Sequence, residues 1–471
     1  VPAHLAALCL LFPALPQAQQ QDLTIQCIVR DDHHRPVQDL KPEDLQITED
    51  GKPVALKSLK PGTAQPAQLS ILLDSSSNES LTLTREAAPD LLSALNAAQL
   101  ALWDVNPLAL LRDFNTDRNT VTGLIVSGAP APAPAKDTEI SPQSKAILTT
   151  AHRLVDEEKN PPALALLSAL IEHQGNAPGR KEIVYFAPNG EDSALTEAQI
   201  AALASNALRA GVSVYIIEAA GTSAQVEAKA AALLAPQHSA KKEHPAAAAK
   251  QNIWRELARR TGGAYALSGK DSVRNAAHRA AEDLNSYFQA TYTPTPQTED
   301  GHFRPVVIKV TRPHTTSQNA AGYFSVPIAD AYSVASYEPP LLQSLHETAD
   351  TDQLHFDIGI LRFSQHDGKT RTALIVEVPR SSLTTLDDEA QKLRKVHFAV
   401  YALLRSADGK VVCRFNQDLP YETALEHAGV SPKNLFTFQR QAWLPPGDYR
   451  AEVAVGDQNS ANVGKCTLSF S

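Results

Sequence analysis

No methionine occurs in the 471 residues, so Val1 is either an internal residue of a cut chain or an alternative start codon read literally. A basic excess is also missing. The 43 Lys and Arg against 52 Asp and Glu leave a net charge of −9, whereas a nucleic-acid partner needs a basic face to replace phosphate counterions. Neither nucleic acid nor another polyanion is an expected partner. Cysteines number four, and none has the paired C-x-x-C spacing of a zinc site. No run approaches the ~20 apolar residues that span a bilayer, so no transmembrane segment is expected in the mature chain. The phosphate loop G-x-x-x-x-G-K-[ST], the G-x-G-x-x-G fingerprint and the G-x-S-x-G nucleophile elbow are all absent. The 43% hydrophobic content nonetheless excludes wholesale disorder, and the length predicts about three domains at ~150 residues each.

What is present begins with a short apolar run, Leu5 to Leu15, followed by Pro16-Gln17-Ala18. This is the pattern of a signal-peptide core and cleavage point lacking its basic n-region, so residues 1–18 are read as a signal peptide. A buried N-terminal helix is the alternative. Export to the periplasm, the cell envelope or the medium follows from the first reading. Cleavage removes Cys9 and leaves Cys27, Cys413 and Cys466, of which two can pair in an oxidising compartment. Cys413 and Cys466 both lie in strand-like runs near the C-terminus, and a disulfide between them is expected. Cys27, in LTIQCIV, reads as a buried strand thiol.

Residues 19–65 alternate as strands, with Asp50-Gly51 as a hairpin signal, and predict a small N-terminal β unit. From Leu69 the pattern changes to apolar strands separated by helical periods, at Leu69 to Leu73, Leu100 to Val105, Leu108 to Phe114, Ile183 to Phe186 and Val212 to Ile217. Such alternation predicts a doubly wound α/β domain over residues 66–330, with a parallel sheet covered on both faces. Two insertions are expected within it, near 127–160 and 221–252, marked by Ala129 to Ala135 (APAPAPA) and Ser239 to Lys250. After a linker around Tyr332 to Leu342, residues 335–471 hold seven short strand-like runs with turns such as Asp367-Gly368 and Asp408-Gly409, predicting an antiparallel β-sandwich.

Ligands of an open α/β sheet bind at the carboxyl ends of its strands, beside the point where strand order reverses. Asp74 stands at such an end and is followed by Ser75, Ser76 and Ser77, an oxygen-rich turn suited to a hard cation such as Mg2+. At this point the sequence resembles the von Willebrand factor type A domain, and specifically the bacterial, acidobacterial-type secreted family in which that domain follows a short β unit. The matching stretches are Pro42-Glu43-Asp44-Leu45 with Ile47 to Gly51, Leu72-Leu73-Asp74-Ser75-Ser76, Asp113 to Asp117, Gly179-Arg180-Lys181, Thr261-Gly262-Gly263, and Gly301 to Arg304 with Gly322-Tyr323-Phe324. The resemblance covers Asp22 to Pro327 and implies a Rossmann-like fold with a metal-ion-dependent adhesion site built from three loops.

That implied site is altered here. Asp74 and Ser76 match the D-x-S-x-S loop, but Asn78 replaces its second Ser. The second loop, which should give a Thr hydroxyl, reads Asn160-Pro161-Pro162-Ala163-Leu164, and Asn189 stands before Gly190 where the third loop should give an Asp. Mg2+ dehydrates reluctantly and needs carboxylate charge, so the substitutions point to a degenerate site without bound metal. In that case Asp74 and Ser76 are expected to cap the following helix. Glu191 and Asp192 substitute only if their loop re-aims them.

Signals for catalysis are weak. His346-Glu347-Thr348-Ala349-Asp350 lacks the second His of H-E-x-x-H, and Asp31-Asp32-His33-His34 reads as a solvated turn whose neighbours point apart. The expected function is therefore non-enzymatic: an exported type A-like protein mediating protein–protein interaction or adhesion at the cell envelope, its partner an unnamed envelope or extracellular protein. A structural scaffold of an envelope complex, with the site idle, is the alternative. An envelope hydrolase ranks below both.

Overall fold

The structure is a computed structural model and describes residues 22–62, 67–95, 98–127, 140–175, 177, 179–188, 195–218, 253–267, 272–295, 299–327, 334–347, 353–425 and 435–471. The expected signal peptide and the insertion at 221–252 lie outside the described residues. The chain opens with strands β1 (Leu23–Asp31), β2 (Leu45–Glu49), β3 (Lys52–Val54) and β4 (Leu56–Pro61). Asp50 and Gly51 both take positive φ, 50° and 74°, as the right-handed twist of a tight hairpin requires.

The mixed α/β centre runs β5 (Ala67–Leu73), α1 (Asn78–Ala94), β6 (Ala98–Asp104), β7 (Ala109–Asn115), α2 (Arg118–Ser127), α3 (Pro142–Asp156), α4 (Pro162–Gln174), β8 (Lys181–Ala187), α5 (Glu197–Ala210), β9 (Val212–Glu218), α6 (Ile253–Arg260), β10 (Tyr265–Leu267) and α7 (Ser272–Asn285). Its six strands are ordered β7-β6-β5-β8-β9-β10. Five are parallel and β7 is antiparallel to β6, which corrects the expectation of a wholly parallel sheet. The short link Val105 to Leu108 permits a hairpin, whereas a parallel crossover takes a dozen residues or more.

Helices cover both faces of this sheet, one core gathering Leu69, Ile71, Leu91 and Ala281, the other Leu72, Trp103, Leu167 and Leu203. Local chemistry sets their ends. Ser141 caps α3 ahead of Pro142 at N1, Thr196 and Gln199 form a capping box on α5, and Gly211, at φ 64°, closes α5 in the left-handed region. Part of the expected insertion at 127–160 belongs to the core instead, since α3 buries Ile147, Ala151 and Leu154.

The chain then returns through β11 (Phe288–Tyr292), β12 (Phe303–Val310), β13 (Thr315–Asn319) and β14 (Gly322–Phe324). These strands join the N-terminal ones in two sheets, β13-β1-β11-β4 and β14-β12-β2-β3. The expected division at 65/66 is thereby redrawn: residues 288–324, assigned above to the α/β domain, complete the N-terminal β unit. Ile25, Cys27, Ile47, Tyr292 and Ile308 share its core, which β1–β4 alone leave open on one side. Buried charge joins this unit to the α/β sheet. Arg30 pairs with Asp283, Tyr215 donates its hydroxyl to Asp283, and Arg180 pairs with Glu182 at 2.6 Å while also donating to Gln26 Oε1 at 3.2 Å.

The C-terminal part holds α8 (Glu338–His346), β15 (Asp357–His366), β16 (Lys369–Pro379), β17 (Thr385–Asp388), β18 (Leu393–Ser406), β19 (Val411–Ala424), β20 (Leu435–Leu444), β21 (Tyr449–Asp457) and β22 (Val463–Phe470). Helix α8 begins inside the segment expected to be a linker. A three-stranded sheet, β15-β16-β20, packs on a five-stranded antiparallel sheet centred on β18, with Leu374, Val376, Phe398, Val400 and Val453 between them. Strand β19 flanks β18 on one side, β21 and then β22 on the other. Cys413 on β19 and Cys466 on β22 thus stand three strand spacings apart, about 14 Å at 4.7–4.9 Å each, beyond the ~7 Å Cα limit for a bridge. Cys413 is a free thiol, and the expected disulfide is not made.

Candidate functional site

Strand order reverses between β5 and β8, and Asp74 follows β5 at that point. Its buried carboxylate does not cap α1, contrary to expectation. Ser77 does so, accepting from Ser80 N–H at 3.2 Å. Asp74 Oδ1 instead accepts from Ser76 twice, from the backbone N–H at 3.0 Å and the hydroxyl at 2.5 Å. Neighbouring β6 delivers a second buried carboxylate, Asp104, beside Leu73 in register. Asp104 Oδ1 accepts from the N–H groups of Ser75 and Asn106, each at 3.1 Å. The Ser75 hydroxyl donates to Asn106 O at 3.0 Å, and the Asn106 amide reaches Ser76 Oγ at 3.4 Å.

Two adjacent strand ends are therefore tied into one oxygen-rich turn. Asp104 and Asn106 went unrecognised in the sequence. The available signal was Trp103-Asp104-Val105-Asn106-Pro107, a carboxylate and an amide ending an apolar strand. Behind the turn, burial foremost, and then the field of Asp74, push the Tyr185 phenol up.

The other expected ligand positions do not join this turn. Asn78 is exposed on the first turn of α1. Pro161 and Pro162 begin α4, where a ring at N1 supplies the required φ, and no hydroxyl is offered. That loop faces a cleft of about 760 Å³ against the sandwich, lined in part by Glu158, Tyr337, His397 and Asp418. His397 Nε2 and Asp418 Oδ1 lie 2.7 Å apart there, and burial raises the Glu158 carboxyl above its ordinary range. Asn189, Gly190, Glu191 and Asp192 lie outside the described residues. Among the described residues no group of three or more His, Cys, Asp or Glu side chains could hold a metal ion. With no third such side chain beside Asp74 and Asp104, the described donors do not fit Mg2+.

Several stretches that carry the sequence resemblance serve as joints. Burial works against ionisation of Asp113, but hydrogen bonds from Ser144, Ser141 and Phe114 N–H outweigh it and hold its carboxyl below the usual range. Through Ser141 and Ser144 it anchors the start of α3 to β7. Arg180 lies over the Tyr287 ring at 5.1 Å, and Tyr323 donates to Glu49 across the β unit. Asp31 to His34 form a turn in which Asp31 Oδ1 accepts from His33 and Arg35 N–H. His346 ends α8, and residues 348–350 lie outside the described residues.

No family model matches the chain, and no curated protein does. Among solved structures, the chain is similar to the manganese-loaded Plasmodium vivax TRAP protein over 59% of its length and 98% of that chain, at 9% identity and a TM-score of 0.25. A β-glucuronidase of Bacteroides uniformis matches over 40% of this chain at 8% identity and a TM-score of 0.19, and a protein from Archaeoglobus fulgidus over 25% of this chain and 94% of its own, at 11% and 0.15. The chain spans 19% of the β-glucuronidase length. Scores this low carry no argument about activity. No helix among the described residues is long and apolar enough to cross a membrane.

Proposed function

We propose that this chain is an exported, non-enzymatic protein of type A-like, doubly wound architecture that engages a protein partner at the cell envelope through the loops at the carboxyl end of its central sheet. The observation that carries this reading is the tied turn of Asp74, Ser75, Ser76, Asp104 and Asn106 at the point of strand-order reversal, where open α/β sheets place their ligands. Loops held on a rigid sheet present a fixed set of donors and acceptors. Recognition rests on that fixed shape and on hydrogen bonding, because the described residues bring together no group of three or more acidic, His or Cys side chains for a divalent ion.

Pull-down from envelope extracts with the intact protein and with Asp74→Ala combined with Ser76→Ala, each with and without chelator, tests this. The expected result is a captured protein that the double variant loses and the chelator does not. Capture that persists in the double variant overturns the reading and favours the scaffold role.

A further inference from the structure

Trp443 differs from the other two tryptophans. Trp103 and Trp254 are 0% and 6% exposed, whereas Trp443 is 45% exposed on the outer face of the three-stranded sheet. Arg371 is its register partner on β16, and the Arg371 guanidinium lies 5.1 Å from the ring centroid of Phe363 on β15, itself 43% exposed. His366 meets Trp443 edge-on, with centroids 6.2 Å apart. A row of ring, guanidinium and ring therefore crosses all three strands. Arg371 Nε is buried without a hydrogen-bond partner, and no carboxylate among the described residues pairs with this side chain. Elsewhere in the chain Arg30, Arg180, Arg394 and Arg414 all have one.

We propose that this face binds an oligosaccharide bearing a single carboxylate, with sugar rings stacked on Phe363 and Trp443 and the carboxylate held by Arg371. A guanidinium presents paired N–H donors in the geometry of a carboxylate's two oxygens, and the Arg371 guanidinium has no carboxylate among the described residues to give up. Aromatic faces are electron-rich, so the C–H side of a sugar ring packs on them while its hydroxyls reach exposed amides such as Gln441. One guanidinium with Lys369 beside it on an acidic chain selects one carboxylate and rejects a polyanion. An extended peptide would instead add along an outer edge, β15 or β20; the β15 ladder is broken by a register shift between Arg362 and Gln365, a device that blunts edge pairing, and pairing at either edge leaves Arg371 on the central strand unused. The proposal stands apart from the Asp74 turn and does not depend on it.

The test is a fluorescence titration of the full chain with N-acetylglucosaminyl-N-acetylmuramic acid and with N,N′-diacetylchitobiose (chitobiose), which shares both N-acetylated rings but lacks the lactyl carboxylate. Because Trp443 is the exposed tryptophan, it reports occupancy. A saturable emission change is expected with the acidic disaccharide, with affinity about tenfold weaker for chitobiose, the difference one charge-assisted paired contact makes. Arg371→Gln should remove that preference and leave chitobiose binding unchanged, and calorimetry on Trp443→Ala should show both ligands lost, with the melting temperature of each variant confirming folding. No response to the acidic disaccharide at millimolar concentration, equal affinity for the two sugars, or Arg371-dependent binding of an acidic peptide instead would overturn the proposal.

Discussion

Ser76 donates two hydrogen bonds to Oδ1 of Asp74, so one oxygen of the carboxylate nearest the sheet's reversal point is engaged from within its own loop. A divalent ion bound through that oxygen would compete with both bonds, and it would find neither a second-loop hydroxyl nor a third acidic, His or Cys side chain among the described residues. Adding Mg2+ or Mn2+ to metal-free protein should therefore leave the melting temperature essentially unchanged. Saturable stabilisation that vanishes in Asp74→Ala would show instead that the loop rearranges to take a metal.

Cys413 and Cys466 should yield no cross-linked peptide in a non-reducing digest, and reductant should leave the melting temperature unchanged. Their separation across β18 and β21 is fixed by the ladder register. A bridged peptide detected by mass spectrometry would contradict that register.

Lys181 begins β8 and is 5% exposed, its ammonium donating to Ala177 O at 2.8 Å. Burial lowers its pKa from 10.5 to about 8. Between those values the unfolded chain holds a proton that the folded chain has released, so this residue makes stability rise with pH across the window, and the gain is lost as pH falls through about 8. Urea midpoints at the two ends of the window should therefore differ more in the wild type than in Lys181→Met. An identical difference in both proteins would exclude Lys181 as the source.

Gly263 packs directly on β9, and an added Cβ would lie 1.9 Å from the Val214 carbonyl oxygen. Gly263→Ala should cost about 1–3 kcal/mol or more, the range for overpacking a close contact. At Gly359, on the outer face of β15, a Cβ would meet nothing within 4 Å, and Gly359→Ala should stay within about 0.5 kcal/mol of the wild type. Denaturant unfolding of the two variants separates a steric origin from a general intolerance of alanine.

Much of the architecture was legible because it is written in local periodicity. Leu69 to Leu73 is an apolar run that ends at Asp74, and this placed both a central strand and its loop before any contact was known. The pairing of β1 with β11 and β13 was not legible, since it joins Cys27 to Phe288 and to Asn319 and no short-range pattern encodes a partner that distant. For the site, Asp74 and Ser76 were visible through a known motif. Asp104 and Asn106 were not, because their role depends on β6 lying beside β5.

The sequence by itself determined the alternation of strands and helices, the hairpins of the sandwich, the oxygen-rich turn that follows Leu73, and the placing of Cys27 in an apolar strand, where burial pushes its thiol up to about 12. These follow from residue chemistry and from periods of two and 3.6, which act over a few residues. Only the tertiary structure decided that residues 288–324 complete the N-terminal β unit, that Cys413 and Cys466 are too far apart to bridge, and that Arg371 lies over the Phe363 ring and opposite Trp443 without a carboxylate among the described residues. Each of these depends on which strands become neighbours, and that choice is made by burying whole faces together.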